Sequence, residues 1–311
     1  MEERITSGRF NTRIDPVIDS WHLPIPLYLF LGGLAAGIMF FASLYTILGK
    51  EKELPSAVKW STLLVPPALI IGLIALLADL NHKLFFWRLF TSFKIESPMS
   101  WGAWVLMLIT PLSIIWTAPY IKEIVPSWNW KYNFLERFES WIIRNRKLIA
   151  WPILLSSVIL GIYTGILLSA FNARPLWNTS ILGPLFLVSG LSTGAAAIMI
   201  ISRKKEEIHL LSKIDLWLIL AELFLITHFI MGMKASTQVQ INAVDQLLSG
   251  GFGLLFWGGI VIVGLIVPAI LEIFKLRGAK IPVALPSALI LLGGLLLRIL
   301  IVEAGQISSY T

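Results

Sequence analysis

Long apolar stretches separated by short polar segments dominate the pattern of this chain. A helix rises about 1.5 Å per residue, so about 20 apolar residues cross the hydrocarbon core of a bilayer, which is about 30 Å thick. The stretches of this length are Pro24 to Leu48, Ser61 to Asp79, Trp101 to Ile121, Leu148 to Ala170, Thr179 to Ser202, Leu216 to Met233, Leu247 to Leu271 and Ile281 to Val302. They lack the two-residue alternation and the length of about 10 residues that are typical of membrane β-strands. The pattern therefore predicts an all-α membrane protein with eight transmembrane helices.

The two halves of the pattern resemble each other. Gly33–Gly37 in the first span has a counterpart in Gly190–Gly194 of the fifth, and Pro111 lies 157 residues before Pro268. Four crossings per repeat preserve direction, so these matches favour two four-helix bundles in tandem. Small-residue pairs and prolines are also common in packed membrane helices, which leaves ordinary packing as the alternative.

The predicted boundaries divide the chain into an N-terminal segment and two bundles. They are residues 1–23, residues 24–170 and residues 171–311. Within the first bundle, at about residues 122–147, Phe134, Phe138 and Trp141 recur at helical spacing among charges. This amphipathic segment is predicted to lie flat on the cytoplasmic membrane surface.

Lysine and arginine are distributed unequally between the two faces of the predicted bundle. The connections on the side of both termini carry eight of these residues, and the connections on the other side carry sixteen. Because cytoplasmic loops are rich in Lys and Arg, both termini are predicted to lie on the non-cytoplasmic side.

Composition excludes several classes of protein. With 57% hydrophobic and 14% charged residues over 311 positions, the sequence does not match a water-soluble domain. The net charge of +7 comes from short connections between spans, so it predicts orientation and not nucleic-acid binding. Without cysteine, the protein has no thiolates with which to hold an iron–sulfur cluster. Its four histidines offer no convincing facing pair for haem, and no metal site is predicted.

Few ionisable or hydroxyl groups fall within the spans, and most lie toward the predicted outer face. They are Asp79, Glu222, His228, Arg298 and Glu303, with Tyr28 and Tyr163 as polar aromatics. A charge at the bilayer centre costs about 2.5–3.5 kcal/mol on insertion scales, so each asks for a partner or a function. Glu222 alone is predicted to lie toward the cytoplasm. The one-sided distribution favours a site for an amphipathic ligand that enters from lipid.

Structural explanations exist for most of these residues. Asp79 and Glu303 can mark helix ends, and Tyr28 can belong to an interfacial aromatic belt. A lone histidine such as His228 is more often a packing residue than a ligand. Arg298 can be a counter-ion of Glu303 or Asp79. Glu222 is the hardest to explain in this way.

Several sequence blocks together carry a resemblance to a known family. They are Leu31 to Gly37, Asp79 followed by Arg88-Leu89-Phe90, Ser97 to Trp104 with Trp101 at the start of the third span, Arg174-Pro175-Leu176-Trp177-Asn178, and Leu297-Arg298 with Ala304-Gly305-Gln306. In this combination the sequence resembles the NrfD/PsrC family, the membrane subunits of polysulfide reductase and related molybdopterin oxidoreductases.

The resemblance implies an eight-helix subunit of the prokaryotic cytoplasmic membrane that reacts with menaquinone or ubiquinone. Its implied partners are an iron–sulfur subunit and a molybdopterin-type catalytic subunit, so the protein alone would not act on the terminal substrate. The family's quinone-binding tyrosine corresponds to Tyr163, and its acidic residue at the end of the second helix corresponds to Asp79. Family members can place Asn and His at the start of the first helix, where this chain has Ile25 and Tyr28, with His22 nearby. Arg88, Trp101, Arg174 and Trp177 belong to implied partner-interface or structural motifs.

The hypothesis is that Tyr163 and either Tyr28 or His22 bind the quinone oxygens near the outer face, while Asp79 relays protons. Arg298 would hold Asp79 or Glu303 ionised. Glu222 and His228 would continue a proton route toward the cytoplasm, although six residues on one helix place them on different faces. A secondary transporter and a purely structural anchor remain the alternatives, because repeats and buried charges also occur in carriers.

Overall fold

Within the described residues, eight helices are long and apolar enough to cross a membrane, as the hydropathy pattern predicts. The computed structural model describes residues 21–80, 82–124 and 132–308. We label the helices α1 (Pro24–Ile47), α2 (Ser56–Asp79), α3 (Pro98–Glu123), α4 (Asn133–Arg144), α5 (Arg146–Ser169), α6 (Leu182–Ile201), α7 (Lys205–Lys234), α8 (Gln238–Leu248), α9 (Leu255–Leu276) and α10 (Ala284–Ile307). All of these elements are helical, which confirms the predicted all-α class. The predicted N-terminal segment at residues 1–23 lies mostly outside the described residues.

The two ends of the described chain meet on one face of the bundle, which we call the terminal face. The backbone N–H of Trp21 donates to Gln306 Oε1 at 3.0 Å, and Gln306 Nε2 donates to the Trp21 carbonyl at 2.8 Å. This pairing fits the even number of crossings. We call the other side the opposite face; that it is cytoplasmic stays a prediction from the distribution of Lys and Arg.

Helix contacts close a ring in each half of the chain. In the first half α1 packs on α2 and α5, and α3 packs on α2 and α5; in the second half α6 packs on α7 and α10, and α9 packs on the same two helices. The halves meet through α1, which contacts α6 and α10, and through α5, which packs closely on α6. The division into two bundles stays a prediction.

The glycine pairs that suggested the repeat lie against each other at the crossing of α1 and α6. A Cβ atom added to Gly37 would lie 2.1 Å from the Gly190 carbonyl oxygen, and one added to Gly194 would lie 2.7 Å from the Gly37 Cα. Such distances leave no room for a side chain, so the two backbones touch directly. Small residues allow this close approach of membrane helices.

Two further features concern α4 and the start of α7. Helix α4 carries Phe134, Phe138 and Trp141 stacked along one exposed side, and Lys122 of α3 reaches Glu139 at 2.6 Å. Its location on a membrane surface stays a prediction. Helix α7 begins at Lys205, eleven residues before the predicted start, which changes the depth of the charges that it carries.

Candidate functional site

Two buried tyrosines from different helices face each other in the first bundle. Tyr28 lies about 6 Å from the start of α1, and Tyr163 lies about 9 Å from the end of α5, so both lie near the terminal face. Their side chains interact through a hydrogen bond, and their exposed fractions are only 2% and 7%. Each phenol can both donate and accept a hydrogen bond. The structure thus brings together the two tyrosines that the sequence singled out.

Glycines on the neighbouring helices make the space for these rings. A Cβ atom at Gly102 of α3 would lie 1.8 Å from the Tyr163 Cζ and 2.0 Å from its hydroxyl oxygen, so the phenol occupies the place of the missing side chain. Gly72 of α2 lies against Tyr28, with its Cβ position 3.5 Å from the Tyr28 Cδ2. The Gly102 contact fixes where the Tyr163 hydroxyl lies.

An apolar cleft of about 340 Å³ opens beside Tyr163, between α5 and the start of α3. Its walls include Trp101, Ile159, Ile162 and Ile166. Ile159 and Ile166 are exposed on the outer surface of the helix bundle, where lipid would surround the protein. A mostly apolar cleft whose lining also includes Tyr163 and Glu96 has the usual form of a site for a small amphipathic ligand.

Asp79 and His22 lie at the same end of the molecule as the tyrosine pair. Asp79 is the last residue of α2 and is half-buried. His22 precedes α1 and is close enough to Asp79 to interact with its carboxyl group electrostatically. Asp79 lies seven residues beyond Gly72, which is about 10 Å nearer the terminal face than the glycine that contacts Tyr28. Asp79 and His22 therefore lie between the two tyrosines and the water at that face.

Arg298 has a different environment from the predicted one. Its Nη1 donates to Ser189 Oγ and, at 3.0 Å, to the Gly294 carbonyl, while Nη2 donates to the Phe186 carbonyl at 3.1 Å. The carboxylate that it faces is Glu222, not Asp79 or Glu303. The predicted depth of Arg298 was too shallow, because α10 continues to Ile307 and leaves the guanidinium about 14 Å from the end of the helix.

Glu222 also lies deeper than predicted. Because α7 starts at Lys205, Glu222 lies near the middle of the helix and not toward its end at the opposite face, and only 3% of it is exposed. It faces Ser189 and Arg298 across the contact between α7, α6 and α10. This carboxylate therefore has a charged partner in the interior of the second half.

The structure adds two buried carboxylates that the sequence analysis missed. Asp215 of α7 and Glu272 of α9 are fully buried, yet the hydropathy pattern placed them just outside the predicted spans. The burial of Asp215 could have been predicted from helical spacing, because Asp215 and Glu222 are seven residues apart and therefore lie on one face of α7. Glu272 shares a face with Lys275 for the same reason.

His228 and Glu303 do not join these groups. His228 lies on the exposed side of α7 and stacks on Phe224, with 5.9 Å between ring centroids. Glu303 is exposed near the end of α10. The six-residue separation between Glu222 and His228 explains why one side chain is buried and the other is not.

Exposed aromatic and cationic side chains follow α2 on the way to the cleft. The Arg88 guanidinium lies 4.7 Å from the centre of the Phe85 ring and 5.7 Å from the Trp87 ring. Trp101 is half-exposed and donates through Nε1 to the Ile95 carbonyl at 2.7 Å. Neither residue is buried in the core, which leaves their surface open to other molecules.

The Arg-Pro-Leu-Trp-Asn block after α5 is bonded to the end of α10 and to the residue that follows it. Arg174 donates to the Ser308 carbonyl at 3.1 Å, and Trp177 donates through Nε1 to the Ile301 carbonyl at 2.7 Å. Trp177 is fully buried, stacks on Trp21 and fills the space beside Gly305. These contacts give the block a structural role at the terminal face.

Comparison with known proteins identifies the family. The family model described as "Polysulphide reductase, NrfD" matches residues 11–309. Protein NrfD of Escherichia coli is 31% identical over 93% of this chain and 95% of its own length, and a polysulfide reductase chain of Wolinella succinogenes is 31% identical over 92% and 94%. A selenate reductase subunit of Mesobacillus selenatarsenatis is 22% identical over 94% of this chain and 75% of its own length. This multi-pass membrane protein therefore belongs to the NrfD/polysulphide reductase family.

Proposed function

We propose that this protein is the membrane subunit of an oxidoreductase complex and that it exchanges electrons and protons with membrane quinone. The observation that carries the proposal is the pair of buried hydroxyls, Tyr28 and Tyr163, beside an apolar cleft that opens toward lipid. A quinone is an apolar ring with two carbonyl oxygens, so it requires an apolar slot and hydrogen-bond donors. The relatives named for polysulfide and selenate reductases support the oxidoreductase class.

The proposed reaction at the cleft is the interconversion of quinone and quinol, which takes two electrons and two protons. The Tyr163 hydroxyl donates to one carbonyl oxygen, and Tyr28, which interacts with Tyr163, orients that hydroxyl. Asp79 and His22 exchange the protons with water at the terminal face, because both lie between the tyrosines and that face. Menaquinone and ubiquinone share this chemistry.

The electrons pass to or from a partner that carries iron–sulfur clusters, next to a molybdopterin-type catalytic subunit. The protein itself has no cysteine with which to bind such a cluster. The exposed segment with Arg88 and Trp87 adjoins the cleft along the sequence and supplies aromatic and cationic contacts for that partner. In this arrangement the cluster nearest the terminal face serves the cleft, and the bacterial cytoplasmic membrane holds the complex.

Tyr163→Phe in the intact complex tests the site. Loss of one hydrogen bond of about 0.5–1.5 kcal/mol should weaken quinone binding or slow turnover by about two- to tenfold. Tyr45→Phe is the matched control, because Tyr45 is also a buried tyrosine of the first half but its hydroxyl has no hydrogen-bond partner within the described residues and lies near the other end of α1. Equal quinone kinetics in the wild type and Tyr163→Phe would refute the assignment.

Purification distinguishes this proposal from the transporter and the anchor. We expect the tagged protein to copurify with an iron–sulfur partner and to lose quinone reactivity when Tyr163 is changed. A protein that moves a solute without any partner would be identified as a carrier. If substitutions at Tyr163, Tyr28 and Asp79 leave the quinone kinetics of the complex unchanged, the protein is a structural anchor.

A further inference from the structure

Five ionisable side chains follow one another through the second half of the molecule. In order from the opposite face they are Lys275, Glu272, Asp215, Glu222 and Arg298, and we call them the buried charge row. Asp215, Glu272 and Arg298 are fully buried and Glu222 nearly so. None of them belongs to the quinone cleft, which lies between α3 and α5 of the first half.

Serine hydroxyls bond two members of the row, and through-space electrostatic interactions relate the others. Lys275 Nζ donates to Ser212 Oγ at 3.0 Å, and Glu272 interacts with Lys275 and with Asp215. Ser192 Oγ donates to Asp215 Oδ1 at 2.6 Å. Asp215 also interacts with Glu222, which in turn interacts with Arg298. Within the described residues no ion pair of 4.0 Å or less joins two members of the row, so it runs from α9 through α7 to α10 as a series of neighbouring groups with gaps between them.

The positions of these residues give the row a direction. Lys275 is next to the last residue of α9 at the opposite face, and Glu272 lies about 6 Å inside that helix end. Asp215 and Glu222 are two helical turns apart, so about 10 Å separates them along α7. The row ends at Arg298, whose Nη2 lies 3.3 Å from the Cβ position of Gly33 in α1. It thus begins at one face and ends beside the helix that carries Tyr28.

The charges of the row do not balance when all its members are ionised. Three carboxylates oppose one ammonium and one guanidinium, which leaves one negative charge in excess. Both oxygens of Glu272 and Oδ2 of Asp215 are buried without a hydrogen-bond partner within the described part of the chain. An uncompensated buried charge is strongly unfavourable, and an added proton removes it. One proton shared among the carboxyls makes the row neutral.

We propose that the buried charge row is a proton half-channel that opens at the face opposite the quinone cleft. A proton from water at that face binds first at Glu272, then passes to Asp215 and Glu222, each O–H bond breaking as the next forms. Ordered water at the unpartnered oxygens completes the path, since buried waters commonly join such groups. Arg298 ends the path, because its fixed positive charge repels a proton that would continue toward the terminal face.

The half-channel couples to the proposed function through charge. When electrons from the partner enter the membrane domain, a proton drawn along the row compensates their negative charge in a medium of low dielectric constant. This proton is additional to those that quinone takes at the terminal face. The inference thus rests on the proposed function for its driving reaction, although the shared proton exists in the resting protein.

Turnover of the intact complex in sealed vesicles tests the path. We expect Asp215→Asn and Glu272→Gln to keep at least half of the quinone turnover while proton uptake from the opposite face falls at least fivefold. Glu207→Gln is the matched control, because Glu207 is a fully buried carboxylate of α7 whose oxygens are already bonded by the Ala57 N–H at 2.8 Å and the Ser202 hydroxyl at 2.6 Å. Unchanged uptake in both row variants, or a sodium requirement for charge movement, would overturn the proposal.

Infrared spectroscopy of the resting complex separates this inference from the quinone assignment. A carboxylic C=O band that shifts in D₂O should be present in the wild type and in Tyr163→Phe, and it should be lost or displaced in Asp215→Asn or Glu272→Gln. The band does not depend on quinone reactivity, so it still reports the shared proton if the cleft proves wrong. If the row variants keep the wild-type band, the row holds no exchangeable proton.

Discussion

The first half of the molecule carries uncharged hydroxyls beside a cleft that opens toward lipid, whereas the second half encloses three carboxyls and a guanidinium between its helices. Tyr28 and Tyr163 lie close to the terminal face. Asp215 and Glu222 lie deep in α7, and α6, α9 and α10 supply the groups around them. The two halves share an arrangement of four helices in a ring, but the polar groups inside the two rings differ in kind.

Solvation explains the difference. A buried phenol loses far less hydration free energy than a carboxylate, and a hydrogen bond such as the one between the two tyrosines offsets that loss. A carboxylate in contact with lipid would lose its hydration without compensation, so charges within a membrane protein remain where other polar groups surround them. A binding site for a lipid-soluble molecule thus suits the half with neutral donors, and movement of an ion suits the half with enclosed charges.

Removal of the guanidinium from the second half should give the largest effect. Arg298→Met removes the donor to Ser189, Gly294 and Phe186 and leaves the buried Glu222 without the positive charge that it faces, and an uncompensated buried charge costs about 3–5 kcal/mol of stability. We expect a clearly lower melting temperature of the purified complex. The double variant Arg298→Met/Glu222→Gln should recover most of the loss, and the exposed Arg137→Met serves as the control. Equal melting of Arg298→Met and the wild type would show that the pair does not matter for stability.

The second-largest effect is expected for a substitution at the crossing of α1 and α6, where the two halves are in contact. In Gly37→Ala the new methyl group would overlap the Gly190 carbonyl, where neither backbone can move easily, and overpacking of this kind costs about 1–3 kcal/mol. Gly232→Ala is the control, because its methyl would lie 3.9 Å from the nearest side-chain atom and alanine favours a helix by about 1 kcal/mol. Thermal unfolding measures both. If the two variants melt alike, α1 and α6 do not depend on their glycine contact.

The sequence predicted the helices well because each span must satisfy its own backbone in lipid. The first span was predicted from Pro24 to Leu48 and runs Pro24–Ile47. The error at α7 has a physical cause: its first turns contain Lys205, Glu206 and Glu207, which lower the hydropathy but do not end a helix. The helix continues because Glu207 is bonded to the backbone of Ala57 in α2, a contact that no local pattern contains.

The sequence predicted site residues correctly only where the position of a residue along its own helix was sufficient to place it. Tyr28 and Tyr163 were found because both lie about two turns or less from helix ends at one face. The partner of Arg298 was not found, since Glu222 and Arg298 lie on different helices, α7 and α10, that both pack on α6. Asp215 and Glu272 were missed because a hydropathy boundary excluded them, although their spacing to Glu222 and Lys275 was visible in the sequence.

The smallest expected effect tests how the first half positions its hydroxyls. In Gly102→Ala the methyl group would take the place of the Tyr163 phenol, and the ring, as the movable end of a side chain, should turn aside without loss of the fold. Since the hydroxyl then misses the quinone oxygen, we expect the quinone KM to rise about two- to tenfold, as for loss of one hydrogen bond. Gly72→Ala is the control, because its methyl would lie at an ordinary 3.5 Å from Tyr28. The decisive measurement adds Gly102→Ala to Tyr163→Phe: if the glycine acts only through the hydroxyl, the double variant should bind quinone no more weakly than Tyr163→Phe alone. A further loss in the double variant would mean that Gly102 shapes the cleft itself, and the proposed role of the tyrosine contact would then have to be given up.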